Sequence, residues 1–129
     1  MEREIQLLQF FVAKNFRQEK QDQFNAEMIH SNIYAPRFPY HFGILYAITC
    51  WRKDKRFHKE VIEYATEYGK TIRSPHMDIE PVTDSILFRW HKHPFPTDFP
   101  IERPGLVTLR VILDGKMQFE SYLLIEKTP

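Results

Sequence analysis

The clearest pattern in the chain is the alternation of apolar and polar positions in its last third. Residues 105–113 and 116–127 alternate in this way on either side of Asp114-Gly115, a pair suited to the positive φ angles of a type I′ turn. This pattern predicts a β-hairpin with one face in the core. The predicted core positions are Val107, Leu109, Val111, Leu113, Met117, Phe119, Leu123 and Ile125.

Two further strands are predicted in the middle of the chain. The apolar run "GILYAITCWR" (43–52) is rich in β-branched and aromatic residues, which favours a central strand. Residues 57–66 suit a strand followed by a turn at Tyr68-Gly69-Lys70 and a strand through Ile72, although their apolar positions also fit one face of a helix. The basic turn between these two strands would join antiparallel neighbours.

The N-terminal third is ambiguous between strand and helix. Ile5, Leu8 and Phe16 follow helical spacing, whereas the run from Phe10 to Val12 suits a buried strand, and we favour the strand. Residues 24–39 predict a strand that kinks at its two prolines. Because proline cannot donate to a β-ladder, that strand is expected at a sheet edge.

Prolines divide the middle of the chain into segments that are too short for ordinary helices. The pattern predicts about eight strands, and therefore an all-β fold, an antiparallel two-sheet sandwich that ends in the Asp-Gly hairpin. A chain of 129 residues with 43% hydrophobic content can fill one such core, so we expect a single domain over residues 1–129.

The charge balance excludes a broad electrostatic surface. Eighteen basic residues oppose 17 acidic ones, so nucleic acid is an unlikely partner and no membrane association is expected. Cys50 is the only cysteine, which rules out an internal disulfide. With no signal peptide and no apolar run near the roughly 18 residues of a membrane span, a cytoplasmic location is expected.

Two stretches carry a family resemblance: "NIYAPRFPYHFGILYAITCW" (32–51) and "FPIERPGLVTLRVILDGKMQFESYLLIEK" (99–127). Together they resemble a family of small bacterial domains of unknown function, with an aromatic-proline segment after an early strand and a Pro-Gly entry to a final hairpin. The resemblance implies an immunoglobulin-like or calcium-phospholipid-domain-like sandwich in a bacterial cytoplasm. It implies no catalytic residues.

His91 and His93 are the strongest candidates for chemistry. On a strand over 85–93 they share one face with Arg89, and Trp90 turns to the core side. Two imidazoles at this spacing can bind zinc, nickel or copper, but a zinc site needs three or four protein ligands, and Arg89 would repel a dication. We therefore predict no metal and no cofactor, and interpret this face as an exposed strand face. The alternative function is a small-ligand-binding or metal-binding domain that uses the His91 and His93 face.

The turn at 52–56 carries four basic residues that could contact phosphate or nucleic acid. As the tip of a hairpin, it would present them to solvent. Four cations in a nearly neutral protein are more typical of a solvated turn, so this function ranks third. The residues are Arg52, Lys53, Lys55 and Arg56.

Catalysis has no support in the sequence. Cys50 lies within an apolar strand, where a thiol behaves as a small hydrophobe. Asp78, Glu80 and Asp84 could converge on calcium, but a polar outer face explains them better. No Gly-rich phosphate loop, G-x-S-x-G or H-E-x-x-H motif occurs. We therefore expect a protein that is not an enzyme.

Two aromatic-proline segments, 34–42 and 93–100, suggest a contact surface. Some of their rings would pack over the ends of the sandwich, and exposed ones would form a rigid patch for protein recognition. The leading hypothesis is therefore a non-enzymatic interaction module that self-associates or binds a protein partner. The candidate contact residues are Tyr34, Arg37, Phe38, Tyr40, His41 and Phe95.

Overall fold

The computed structural model describes residues 3–20, 23–83 and 86–129. None of these residues forms a helix that is long and apolar enough to cross a membrane. Ten strands account for most of the described chain: β1 (Gln6–Lys20), β2 (Gln23–Ile29), β3 (Asn32–Ala35), β4 (Tyr46–Arg52), β5 (His58–Thr66), β6 (Thr71–Arg73), β7 (Met77–Ile79), β8 (Phe88–Pro94), β9 (Gly105–Leu113) and β10 (Lys116–Lys127).

The strands form two packed sheets, which confirms the predicted all-β sandwich. One sheet has the order β2-β1-β4-β8 and is antiparallel throughout. The other has the order β3-β10-β9-β5-β6, with β7 also paired to β5, and its β3–β10 pair is parallel. The strand count is ten and not eight, partly because residues 24–39 contribute β2 to one sheet and β3 to the other.

The C-terminal hairpin forms as predicted around a turn in which Asp114 has φ 51° and Gly115 φ 81°. All four predicted core positions of β9 are buried, as are Leu123 and Ile125 of β10. Met117 and Phe119 are exposed, so their predicted core placement was wrong. The β9–β10 register shifts between these two residues, and such a bulge interrupts the alternation of faces.

The N-terminal segment is a strand, as favoured, and β5 and β6 flank the predicted turn. The long β1 pairs with β4 through its first half and with β2 through its second half. The prediction for the basic turn was wrong: β4 and β5 lie in different sheets, so residues 53–57 cross between the sheets and do not form a hairpin tip.

Both sheets contribute to one continuous core, which includes Val12, Trp51, Ile62, Leu109 and Leu123. Burial of each large apolar side chain contributes about 1.5–3 kcal/mol. At one end of this core the facing side chains change from apolar to polar, and the candidate site lies there.

Candidate functional site

Polar side chains occupy inward-facing positions on three strands, β4, β5 and β8. Alternation along β5 turns Glu60, Ile62 and Tyr64 inward, and all three are fully buried. Alternation along β8 turns His91 and His93 inward, and both are buried. Because β5 and β8 belong to different sheets, the carboxylate faces the two imidazoles across the core.

Glu60 is the centre of this cluster, since its carboxylate accepts four hydrogen bonds. His91 Nδ1 donates to Oε1 at 2.5 Å, and His93 Nε2 donates to the same oxygen at 2.9 Å. Thr49 Oγ1 donates to Oε1 at 3.1 Å, and Trp51 Nε1 donates to Oε2 at 2.8 Å. One buried side chain thereby links β4, β5 and β8 across the two sheets.

The environment of Glu60 favours its charged form. Burial alone would raise the pKa of this carboxyl, but the hydrogen bonds from His91 and His93 outweigh burial and lower the pKa to about 2. Glu60 is therefore an anion at neutral pH, held in the interior by its donors. Loss of those donors would leave a buried charge without compensation, which is strongly destabilising.

The same three residues have the geometry of a metal-ligand set. One carboxylate oxygen of Glu60 and one ring nitrogen each of His91 and His93 lie within 4.8 Å of one another. Carboxylate and imidazole are ligands of zinc and related ions, which bind them at about 2.0–2.2 Å. Thr49 and Trp51 orient the carboxylate, as outer hydrogen bonds do in metal sites. A cation between these atoms would replace the hydrogen bonds from the histidines to Glu60.

The predicted orientation of β8 was wrong. His91 and His93 face the core and not solvent, and Trp90 lies on the outer face of the sheet. There its ring packs against Phe16 of β1 and Phe24 of β2, with ring centroids 5.4 Å and 4.9 Å apart respectively. Since these two rings cover it in part, Trp90 is half-buried without entering the space between the sheets.

Arg89 shares the inward face of β8 with the histidines, as predicted, but lies nearer the end of the sandwich. Its Nη2 atom is 3.4 Å from Oε2 of Glu80, and its Nε atom is buried with no hydrogen-bond partner among the described residues. Lys53 is a second cation in this region. Burial lowers the pKa of Lys53, and the positive charge of Arg89 lowers it further.

A second histidine cluster lies at the start of β5. His58 Nε2 donates to Asp54 Oδ1 at 2.8 Å, and His58 Nδ1 donates to Asp114 Oδ2 at 2.6 Å. Burial alone would lower the pKa of His58, but the two carboxylates outweigh burial and raise it. Asp54 also accepts from the backbone N–H of Ile5, and Asp114 from that of Lys59. His58 thereby connects the N-terminal segment, the crossover and the hairpin turn.

The four basic residues of the crossover differ in exposure. Lys55 and Arg56 are exposed, as predicted for the whole set. Lys53 is only 4% exposed, so its predicted solvent exposure was wrong. Arg52 is half-buried and donates through Nη2 to the backbone oxygen of Glu4 at 2.8 Å. The crossing between sheets explains the difference, because it draws the first two residues against the end of the sandwich.

The aromatic-proline segments mostly cover the core and do not form an exposed patch. Phe38 and Tyr40 are half-buried against it, whereas Tyr34, Arg37 and His41 are exposed. A series of aromatic contacts leads inward from Tyr40. The distances between ring centroids are 5.8 Å for Tyr40–Phe42, 4.9 Å for Phe42–Phe95 and 5.0 Å for Phe95–Tyr64. The surface suggested by the sequence therefore retains one strongly exposed ring, that of Tyr34.

Two minor sequence candidates have simple structural roles. Cys50 is buried, and burial raises the pKa of its thiol to about 11, which fits the predicted core residue. Asp78 and Glu80 are exposed and lie near cationic partners, His76 at 3.6 Å and Arg89 at 3.4 Å. Asp84, the third member of the proposed acidic set, lies outside the described residues.

Sequence reasoning missed Glu60 and its two donors, Thr49 and Trp51. A signal for Glu60 was present, because it shares the period-two alternation of Ile62 and Tyr64. A charged residue in register with buried positions indicates a polar contact inside the core. Thr49 and Trp51 give no such signal, since both residue types are common in buried strands.

Comparison with known proteins adds no further assignment: the chain matches no family model, no curated protein and no solved structure. The resemblance to small bacterial sandwich domains stays a prediction.

Proposed function

We propose that this protein is a metal-binding β-sandwich whose ligands are Glu60, His91 and His93, and whose ion is zinc or another first-row divalent metal. The supporting observation is the convergence of three ligand atoms, one from each residue, within 4.8 Å in the interior. Three protein ligands leave room for a fourth from water or a bound molecule. This proposal replaces the prediction that no metal binds.

The electrostatics of the cluster support a cation. The buried carboxylate of Glu60 is an anion, and a cation would supply the compensation that the hydrogen bonds from His91 and His93 supply in its absence. Thr49 and Trp51 donate their hydrogen bonds to Glu60 and not to the histidines. They therefore do not prevent the histidines from directing a nitrogen to a metal. The His93 Nδ1 atom is buried and has no hydrogen-bond partner among the described residues, so only its Nε2 atom is engaged.

The test is a titration of the chelator-treated protein with Zn²⁺ and Co²⁺, read by metal content after gel filtration and by the Co²⁺ absorption spectrum. We expect one bound equivalent per chain and a spectrum with nitrogen and oxygen ligation. The double variant His91→Gln/His93→Gln should lose binding. The matched control is His41→Gln/His76→Gln, which removes two exposed histidines outside the cluster and should bind as the unaltered protein does.

A second variant keeps the test informative if the double variant fails to fold. Thr49→Val removes one hydrogen bond to Glu60 but no ligand, and a loss of this kind weakens metal affinity about 10- to 100-fold. Binding that is unchanged in Thr49→Val and in the histidine double variant would reject the proposal. In that outcome the cluster is a purely structural hydrogen-bond network.

A second candidate function, self-association, is favoured by a different observation. Three large apolar side chains near the edge strand β2 are exposed: Ile44 at 73%, Ile29 at 64% and Met28 at 61%. They lie beside a groove of about 370 Å³ that Ile44, Met28 and Tyr40 help to line. Exposed apolar patches of this kind mark interaction surfaces, and a second copy of the chain is the partner that we propose.

Light scattering coupled to size exclusion tests this second candidate. A dimer that Ile44→Asp converts to a monomer, and that Leu106→Asp on the other sheet leaves intact, would support it. A protein that stays monomeric at all concentrations would refute it.

The location that we propose is a reducing compartment, namely the cytoplasm. A single buried cysteine cannot form an internal disulfide and is shielded from other thiols. A fusion to a fluorescent protein, localised in the cells that produce this chain, would test the assignment. A periplasmic or secreted pool would contradict it.

A further inference from the structure

A cleft with a volume of about 470 Å³ opens at the end of the sandwich, beside the β4–β5 crossover. Its cationic lining consists of Arg3, Arg52, Lys53 and Lys55. Volumes of roughly 300–1,000 Å³ are typical of pockets for small molecules. The cleft therefore combines the size of a small-molecule site with a concentration of positive charge.

Lys53 is the most unusual residue in this cleft. Only 4% of its surface is exposed, and its backbone N–H is held by the carbonyl of Leu87 at 2.9 Å. Burial of the lysine side chain disfavours its charged form. The nearby carboxylate of Glu80 offsets this only in part, and Glu80 lies at ion-pair distance from Arg89. The neighbouring charge of Arg89 disfavours the charged form further, as the lowered pKa of Lys53 reflects.

Two guanidinium groups near Lys53 also have unused donors. The Nε atoms of Arg52 and Arg89 are buried, and neither has a hydrogen-bond partner in the described part of the chain. Buried donors without acceptors are rare in folded proteins, so each requires an explanation. An anion bound in the cleft would supply an acceptor to Arg52, which lines it, and a counter-charge to Lys53.

Among the described residues that line this cleft, Asp54 is the acidic one, and it does not neutralise the cations. Its Oδ1 atom accepts from His58 and from the backbone N–H of Arg56, and its Oδ2 atom accepts from Ile5. The Asp54 carboxylate is therefore already used by the second histidine cluster. His58 shares its charge between Asp54 and Asp114, and the cleft is positive because its four cations outnumber Asp54.

We propose that this cleft binds the phosphate group of a small molecule, with Lys53 and Arg52 as the principal contacts and Lys55 and Arg3 at the rim. Phosphate suits the site because it carries up to two charges and several acceptor oxygens for lysine and arginine donors. A small molecule is favoured over nucleic acid because the cations converge in one cleft and the net charge of the chain is only +1. This site does not depend on the proposed metal centre.

The test measures binding of inorganic phosphate, pyrophosphate and glycerol 3-phosphate by calorimetry and by thermal shift, with chloride at equal ionic strength as the reference. We expect saturable binding that Lys53→Met and Arg52→Gln each weaken about 10- to 100-fold, the effect of losing a hydrogen bond to a charged group. Tight binding of inorganic phosphate would identify the free anion as the ligand, and preference for glycerol 3-phosphate an esterified one. Lys127→Gln, an exposed charge on β10, is the matched control and should bind normally.

Lys53→Met also gives a readout that a purely structural lysine would not. Without anion, this variant should melt at or above the temperature of the unaltered protein, because it removes a buried charge. With phosphate, it should lose the stabilisation that the unaltered protein gains.

Three results would overturn the proposal. One is a thermal shift with phosphate no larger than that with chloride. Another is tighter binding of a DNA or RNA oligonucleotide than of any small phosphate, which would make the cleft a nucleic-acid contact. The third is loss of the phosphate response in His91→Gln/His93→Gln, which would place the anion at the metal centre.

Discussion

The two histidine clusters on β5 are built from the same residue types in opposite proportions. At Glu60 one carboxylate accepts hydrogen bonds from two imidazoles, whereas at His58 one imidazole donates to two carboxylates. The Glu60 cluster is buried between the sheets, and the His58 cluster lies at the edge of the hairpin turn, where Asp114 is exposed. The two centres are two residues apart on the same strand.

The arrangement of imidazoles and carboxylates determines what each cluster can bind. Asp54 and Asp114 contact opposite ring nitrogens of His58, so the two carboxylates do not converge on one nitrogen of this imidazole. His91 and His93 each direct one nitrogen to the same oxygen of Glu60, and those three atoms can converge on a cation. Proximity of histidine to carboxylate is therefore a poor indicator of a metal site. Convergence of one ligand atom from each of three residues is the better indicator.

Removal of the central carboxylate should have the largest effect on stability. Glu60→Ala leaves four buried donors without an acceptor, and we expect it to lower the free energy of unfolding by about 3–5 kcal/mol. Urea denaturation in the presence of a chelator would measure this without a contribution from metal. Glu102→Ala, at an exposed position, is the control and should change stability by less than about 0.5 kcal/mol. An effect of Glu60→Ala as small as that of the control would mean that the cluster is not formed in solution.

The clusters should differ next in their response to alkaline pH. The pKa of His58 is raised, so its contribution to stability is complete below its unfolded value of about 6.5 and is lost as pH rises through the folded value. Glu60 has a lowered pKa, so its contribution is present above about pH 4.5 and is lost only as pH falls toward 2. His58→Gln should therefore cost about 2 kcal/mol at pH 5.5 and much less at pH 9.5. Denaturation curves of the variant and the unaltered protein that stay parallel over this range would contradict the assignment.

Single hydrogen bonds at the two clusters should matter least. Thr49→Val preserves the shape of the side chain and removes one of the four donors to Glu60, for an expected cost of about 1 kcal/mol. Asp114→Asn keeps a residue that tolerates the positive φ of the turn and weakens one contact to His58, also for about 1 kcal/mol. Thermal denaturation of both variants would compare the clusters directly. A cost for Thr49→Val near that of Glu60→Ala would show that this hydroxyl is essential to the network.

The fold could largely be predicted from local sequence patterns. The alternation of β9 and the Asp-Gly turn specify their hairpin directly, because both signals act within a few residues. The crossover at 53–57 could not be predicted in this way. A short polar segment between two strands is compatible with a hairpin turn and with a crossing to the second sheet. The pairing of β4 and β5 with strands distant in sequence distinguishes these two possibilities.

The site could be predicted only in part. The alternation of β8 correctly placed His91 and His93 on one face, but the choice of face relied on the assumption that Trp90 marks the core. That assumption failed because Phe16 and Phe24 form a separate aromatic cover on the outer side. Such a cover depends on the pairing of β4 with β1 and of β1 with β2, which no pattern within β8 reveals.

The parallel pairing of β3 with the end of β10 has a consequence for biosynthesis. Asn32 and Leu124 are neighbours in the sheet although more than half of the chain separates them. A topology of high contact order folds slowly, on the scale of milliseconds to seconds for domains of this class. During translation β3 must wait for the last strand to leave the ribosome, and until then its open edge is available to other chains. We therefore expect chaperones that shield nascent strands to have more influence on the yield of this protein than its final stability has.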